Sequence, residues 1–488
     1  MTKMSLKNVE AALAAVLLAF AQPTFARPAS AQDVCPTPSA ASNVDDRAMA
    51  HIRYLADDGL EGREVGSQGA RCAADYIAAQ FRAMGLEPAG VDGSFFQGFP
   101  LRKGSELGDV NALVVDGTRY EVENDWTPLG FSASGRFERE LVYGGHGLSR
   151  PGSPDDRYAH IDLTGKIVVL EWGDPDDPRG GSIRGSPHFK ARVMAGRRAA
   201  GVLVVAQAGM PLPSLAGEIW EFLPIPVAVV SSEVADEIRA AARASSRVTV
   251  STDVRETTVE ARNVLARLRG SDPELRNEYV IVGAHHDHLG FGGEGSLAPA
   301  ARAVHNGADD NASGTAAVLE IARVLALGTR PSRSVVFMTF TGEERGLLGS
   351  KYWVTAPTLD LSSAVAMLNL DMVGRMSEDR LTLLGVGTAQ EWGGIVDLAS
   401  AGMSRPLEIA RVPTGYGASD HQSFYLAGIP VLHFFTNSHA DYHRPSDDWS
   451  RVNADGLRRV TELAGQVTLR LAAGGAQTVY LTPPGRED

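Results

Sequence analysis

Tyr279-Val280-Ile281-Val282-Gly283-Ala284-His285-His286-Asp287-His288 is the stretch that decides the fold. An unbroken apolar run of this kind predicts a strand buried on both faces, as in a parallel sheet covered by helices. The run passes straight into polar residues. His285 and Asp287 are thereby placed at the carboxyl end of a strand, which is where open α/β sheets bind their ligands.

The same alternation continues outward from this strand. Strands are predicted at 263–269, 335–340, 364–370, 381–384 and 431–434, and helices at 314–327, 392–401 and 455–472, the first capped by Ser313. The fold class expected is therefore α/β: a doubly wound, mostly parallel sheet with helices on both faces. Upstream, Met49, Ile52 and Leu55 mark a helix over 44–58. Gly59 to Arg63 form a loop, and Ser67 caps a helix that carries Ile77, Phe81 and Met84 on one face. The stretch 90–135 is rich in turns and short strands whose order is not legible. Residues 137–255 form a smaller α/β unit with strands at 141–143, 166–170, 202–205 and 226–230 and helices at 189–200 and 233–244. The division expected is a signal segment 1–31, a first part of the main domain 44–136, an insertion 137–255, the main domain 256–475 and a tail 476–488.

Composition agrees with a chain of two or three folded domains. In 488 residues, 44% are hydrophobic and 22% charged, which excludes general disorder. The 52 Gly, 26 Pro and 2 Cys exclude collagen-like chains and disulfide scaffolds. A net charge of -13 disfavours nucleic acid as a partner, because the phosphate backbone needs a basic surface. At the N-terminus, Lys3 and Lys7 precede an apolar run from Ala11 to Ala21, followed by small residues at Ala26 and Ala31. This reads as a cleavable secretory signal, too short at 1.5 Å per residue to cross about 30 Å of hydrocarbon. The expected location is secreted or periplasmic, without stable membrane insertion. Cys35 and Cys72 then make an even pair in an oxidising compartment, so a disulfide is expected, with free thiols as the alternative.

The chemistry lies in five clusters at predicted strand ends and loops. They are His285-His286-Asp287, Asp309-Asp310-Asn311, Glu343-Glu344, Asn369-Leu370-Asp371 and Tyr442-His443 with Asp447. Each alone is an ordinary turn, cap or solvated face. Together in one cleft, the carboxylates would repel one another and raise each other's pKa, a cost that divalent cations remove. Imidazole and carboxylate donors suit zinc, with cobalt or manganese as alternatives.

The set Gly307-Ala308-Asp309-Asp310-Asn311-Ala312-Ser313-Gly314, Glu343-Glu344-Arg345-Gly346-Leu347-Leu348-Gly349-Ser350, Asn369-Leu370-Asp371-Met372 and Tyr442-His443-Arg444-Pro445-Ser446-Asp447, with His285-His286-Asp287, resembles the M28 family of co-catalytic zinc metallopeptidases. The resemblance covers about 256–472, and Gly59 to Arg63 is similar to the family's start. The insertion resembles a protease-associated (PA) domain at Thr164-Gly165-Lys166-Ile167-Val168 and Ala199-Ala200-Gly201-Val202.

The resemblance implies two zinc ions. Asp310 would bridge them, His285 and Asp371 would complete one site, and Glu344 and His443 the other. Glu343 would be the general base toward a metal-bridged water. Asp287, two residues from His285 and on the same side of an extended chain, would hold the imidazole through its second nitrogen. Two roles stay open for Tyr442, oxyanion donor and packing residue. Asp309, Asp447 and His421 (in Ser419-Asp420-His421) read as turn, capping or structural residues. His288 completes a His-x-Asp-His string, but the metallo-β-lactamase motif needs a histidine at 283, where Gly283 stands, so no metal role is assigned to it.

The leading functional reading is a secreted aminopeptidase acting on peptides. A carboxypeptidase or dipeptidase would need a cation for the free carboxylate, for which Arg345, Arg375, Arg411 and Arg444 are candidates. A glutaminyl cyclase-like acyltransferase and a non-catalytic binding homologue complete the alternatives. Oligomeric state leaves no trace in the sequence.

Overall fold

The computed structural model describes residues 35–37, 47–148, 156, 158–177, 183–215, 222–293, 295–298, 301, 303–475 and 478–482. The expected signal segment, and most of the tail expected at 476–488, lie outside the described residues.

The described chain begins in helix α1 (Arg47–Leu55), passes a tight turn at Asp58–Arg63, and enters helix α2 (Gln68–Ala83). Ser67 caps α2 as its sequence predicts, its hydroxyl oxygen accepting the Ala70 N–H at 3.1 Å. A disulfide joins Cys35 to Cys72 on α2, tying residues 35–37 to the fold. Strands β1 (Glu87–Pro88) and β2 (Phe96–Leu107) follow.

Next comes a second sheet, built from β3 (Ala112–Val115), β4 (Thr118–Tyr120), β5 (Trp126–Pro128), β6 (Gly135–Tyr143), β7 (Ile167–Glu171), β8 (Gly201–Val205), β9 (Val227–Val230) and β10 (Arg247–Thr252). Its eight strands run in the order β4-β3-β10-β6-β7-β8-β9-β5, accompanied by helices α3 (Pro187–Gly196) and α4 (Ala235–Arg243). The parallel strands β6 to β9 are those expected. The boundary at 137 is not where this sheet starts: β3, β4 and β5 belong to it, so residues 112–128 go with the insertion. β4 pairs with its neighbour β3, but β3 and β5 join the sheet through β10 and β9, which are remote in sequence, and strands this short carry no local signal of such partners.

The chain returns through β11 (Val254–Leu268), longer than the strand expected at 263–269. Its first half pairs with β2 as an antiparallel ribbon that carries the chain into and out of the insertion; its second half pairs with β13. Then come β12 (Tyr279–His285), α5 (Gly314–Leu327), β13 (Ser334–Phe340), α6 (Leu348–Thr355), β14 (Ala364–Leu370), β15 (Arg380–Leu384), α7 (Trp392–Ala401), β16 (Glu408–Val412), α8 (His421–Leu426), β17 (Val431–Phe435) and α9 (Ala454–Ala472). The main sheet runs β1-β11-β13-β12-β14-β17-β15-β16, with β2 beside β11. Its centre, β13-β12-β14-β17, is parallel. The edge strand β16, half-exposed and without strict alternation, was not anticipated.

The apolar run of β12 has the cause expected of it. Val280, Val282 and Ala284 point into a core shared with Ile52, Phe81, Leu319, Trp392 and Leu463, from helices α1, α2, α5, α7 and α9. Tyr279 and Ile281 point to the other face, against Trp353 of α6 and Phe424 of α8. A strand covered on both sides has no position for a polar side chain until it ends. Among the described residues, no helix is long and apolar enough to cross a membrane.

Candidate metal centre

Three parallel strands deliver their polar ends to one cleft. β12 ends in His285, β14 is followed by Asp371, and β13 is followed by Thr341-Gly342-Glu343-Glu344. A turn at Ala308–Ser313 brings Asp310 beneath them, and the loop after β17 brings Tyr442 and His443 over them. The turn is not closed by Ser313, as its sequence suggests. Ser313 is already helical; its hydroxyl donates to the Asp309 carbonyl at 2.7 Å and accepts the Val373 N–H at 3.0 Å. Asn311 does the capping, its Oδ1 accepting the Gly314 N–H at 2.8 Å.

His285 Nε2 lies 3.3 Å from Asp310 Oδ1 and 3.4 Å from Asp371 Oδ1. His443 Nε2 lies 3.1 Å from Asp310 Oδ2 and 3.2 Å from Glu344 Oε2. Asp310 thus turns one oxygen to each group. Donors on one tetrahedral zinc, at about 2.0–2.2 Å from it, stand roughly 3.3–3.6 Å apart, close to these spacings. Asp371 Oδ1 is buried and makes no hydrogen bond among the described residues, while its Oδ2 accepts the Ser419 hydroxyl at 2.6 Å. An orphaned carboxylate oxygen aimed at an imidazole, in a nitrogen and oxygen donor set, is what a divalent cation fits.

The field inside the cluster is strongly negative. Burial opposes charge on both imidazoles, yet the carboxylates win: Asp371 and Glu343 hold His285 well above its ordinary pKa, and Asp310 and Glu344 push His443 up to about 10. Burial, with Glu344, Asp371 and Asp420 nearby, drives Glu343 well above the usual carboxylate range. Beneath the cluster Arg63 is fully buried. Its guanidinium donates to the carbonyls of His286 (2.8 Å), Asn306 (2.7 Å), Gly307 (3.1 Å) and Leu55, and burial lowers its pKa to about 10. Those carbonyls flank His285 and lead to Asp310, so one side chain from the loop 59–63 braces two donor segments.

The proposed ligands His285, Asp310, Glu344, Asp371 and His443 meet here with Glu343 and Tyr442, and four points differ from the expectation. The Asp287 carboxylate is 3.8 Å from His285 Nδ1; it is the Asp287 carbonyl, at 3.2 Å, that accepts from that nitrogen. The carboxylate accepts the Glu343 N–H at 3.2 Å instead. His288, to which no metal role was assigned, lies inside the cluster: its Nδ1 is 2.6 Å from Glu344 Oε1, and His288, Asp310 and Glu344 form a second group of metal-capable donors. The Asp-His string that marked it was read for a different motif. Arg345, Arg375 and Arg411 are occupied by Glu64, Asp441 and Asp397. His421 and His433, stacked with ring centroids 4.4 Å apart, line the cavity with Leu384, Phe435 and Tyr442. That role of His421 was not anticipated. Tyr442 stacks on His443 at 3.8 Å.

Residues 263–468 match peptidase family M28. The 263–468 unit of this chain belongs to that family. The M28 unit makes the chain a metallopeptidase, a hydrolase. The probable lipoprotein aminopeptidase LpqL of Mycobacterium tuberculosis is 27% identical over 413 residues, 80% of this chain and 74% of its own. An aminopeptidase of Pseudomonas aeruginosa is 26% identical over 472 residues, 88% and 80% of the two chains. Among solved structures, the aminopeptidase from Aneurinibacillus sp. strain AM-1 superposes with a TM-score of 0.51 at 25% identity, covering 90% of this chain and 95% of that one.

Proposed function

We propose that this metallopeptidase is an aminopeptidase, releasing N-terminal residues from peptides at a centre of two zinc ions. His285, Asp310 and Asp371 hold one ion, and Asp310, Glu344 and His443 the other. The observation that carries the direction of attack is the lining of the cavity. It measures about 240 Å³, includes Asp310, Glu343, Glu344 and Asp371, and includes no Lys or Arg. Once two cations offset the carboxylates, the lining still has no Lys or Arg to hold a free α-carboxylate, and its carboxylate oxygens are acceptors that a free α-amine can meet. A volume below that of pockets for drug-sized ligands suits one residue rather than a run of chain. The names of the relatives support the same reading.

When bound, the two cations supply a Lewis acid for the scissile carbonyl and lower the pKa of the attacking water. The chain's own groups do the rest. Glu343 takes the proton of that water and passes it to the leaving amine nitrogen. Its backbone is fixed by the bond to Asp287. His285 donates its Nδ1 proton to the Asp287 carbonyl and His443 donates its own to the Gly295 carbonyl at 2.8 Å, leaving both Nε2 atoms free as ligands. Burial and the acidic neighbours push the Tyr442 phenol up, so it keeps its proton and serves as donor to the developing oxyanion. Export through the N-terminal signal completes the proposal.

The test uses unblocked, N-acetylated and C-amidated short peptides, read by mass spectrometry with and without a chelator. Chelator-sensitive loss of single residues from free N-termini is expected. Trimming from the C-terminus, or loss of ammonia or water at N-terminal Gln or Glu, overturns the substrate assignment. No product in any peptide overturns the peptidase reading of the site.

A further inference from the structure

His288 follows the His285-His286-Asp287 segment and sits fully buried under Asp310 and Glu344. Three contacts fix it. Its backbone N–H donates to the Arg63 carbonyl at 3.2 Å. Its ring lies on Gly307, at φ +55°, where a Cβ would stand 2.5 Å from His288 Cγ and Cδ2. Its Nδ1 meets Glu344 Oε1 at 2.6 Å. Glu344 is therefore divided: Oε2 faces His443 Nε2 at 3.2 Å, and Oε1 faces His288.

The distances separate two roles for the ring. Donors on one zinc stand roughly 3.3–3.6 Å apart. The His443 contacts fall near that spacing, whereas 2.6 Å is a charge-assisted hydrogen bond. His288 Nε2 is buried and makes no hydrogen bond among the described residues, so Nδ1 is the ring nitrogen whose N–H meets an acceptor. An unpartnered lone pair costs less than an unpartnered N–H beside an acceptor.

We infer that His288 is a positioning residue for the second cation. Its Nδ1–H holds Glu344 Oε1, so that Glu344 presents Oε2 alone to the site it shares with Asp310 and His443. This rests on the two-cation reading above. Removing such an outer partner weakens metal binding by about 10- to 100-fold.

The test titrates purified apo protein with Zn²⁺ against a chromophoric chelator. The wild type takes two equivalents. In His288→Leu one equivalent keeps its affinity and the other weakens tenfold or more, while His288→Asn, whose amide N–H replaces Nδ1–H, stays within about threefold of wild type. Should His288→Leu not fold, His288→Asp carries the comparison: it has the shape of Asn without the donor, and it weakens the same equivalent. Wild-type affinity for both equivalents in the Leu or Asp variant overturns the inference. So does an Asn variant as weak as Leu, which would make the ring a ligand. A wild type that takes fewer than two equivalents overturns the two-cation reading instead.

Discussion

Asp447 Oδ2 accepts the backbone N–H of Asp309 at 2.9 Å and that of Asp310 at 3.1 Å. A residue read from sequence as a turn or cap thus holds, from the far end of the M28 unit, the backbone of the carboxylate shared by both donor groups. Asp447→Ala leaves two buried N–H groups without partners, at about 1–3 kcal/mol each. Urea unfolding should show a loss of about 2–6 kcal/mol, and Zn²⁺ affinity should fall with it. Asp447→Asn retains an acceptor and should lose less than half as much.

Base and ligand roles separate cleanly. Glu343→Gln removes the proton acceptor without touching a proposed donor, so kcat should fall by about 10²–10⁴ while two equivalents of metal remain bound. Asp310→Ala should lose both metal and activity. Near-normal turnover in the Glu343 variant would show that the base is another group.

Arg63 makes four hydrogen bonds to carbonyls and is fully buried. Arg63→Leu strands those carbonyls, and a loss of about 3–5 kcal/mol is expected. Arg63→Lys keeps the charge but cannot reach all four, so it should fall between Leu and wild type in thermal unfolding. Equal stability of the Lys variant and the wild type would mean that charge alone matters at this position.

The Cys35–Cys72 bond closes a loop of sequence separation 37. In the chain-entropy account this contributes about 4 kcal/mol by restricting the unfolded chain. Cys35→Ser with Cys72→Ser should lower the urea midpoint accordingly, and reductant should do the same to the wild type and nothing to the double variant.

His421 is buried, and burial alone lowers its pKa to about 3. The unfolded chain, with an ordinary value near 6.5, binds the extra proton first as pH falls. Stability tied to this group is complete above pH 6.5 and is lost progressively between 6.5 and 3. His421→Leu should therefore flatten the fall of the unfolding midpoint with pH over that interval. An unchanged slope would place the acid sensitivity in other groups.

Much of this site was legible because its donors sit at the ends of apolar strands. The run Tyr279–His285 shows where the apolar strand ends, and the histidine there gains its meaning from the other polar clusters that follow neighbouring strands. Glu343 and Asp371 stand out for the same reason, and Asp310 by its place in the string Asp309-Asp310-Asn311. His288 did not: three residues past His285, its use depends on which way the chain bends, and that is set by Arg63 and Gly307. Arg63 itself read as part of a loop, since nothing local distinguishes a buried guanidinium from a solvated one.

By itself the sequence determined the α/β alternation, the capped helix α2 and most of the candidate cation donors, because periodicity and donor chemistry are local properties; that Cys35 and Cys72 are joined was an expectation that the tertiary structure decided. The tertiary structure alone decided which carboxylate oxygen faces which imidazole, that Asp287 serves Glu343 through its side chain and His285 through its carbonyl, and that residues 112–128 join the insertion's sheet. Each of these depends on groups brought together from remote parts of the chain, and the energy that orients them is contributed by burial and hydrogen bonds that exist only once the sheets have formed.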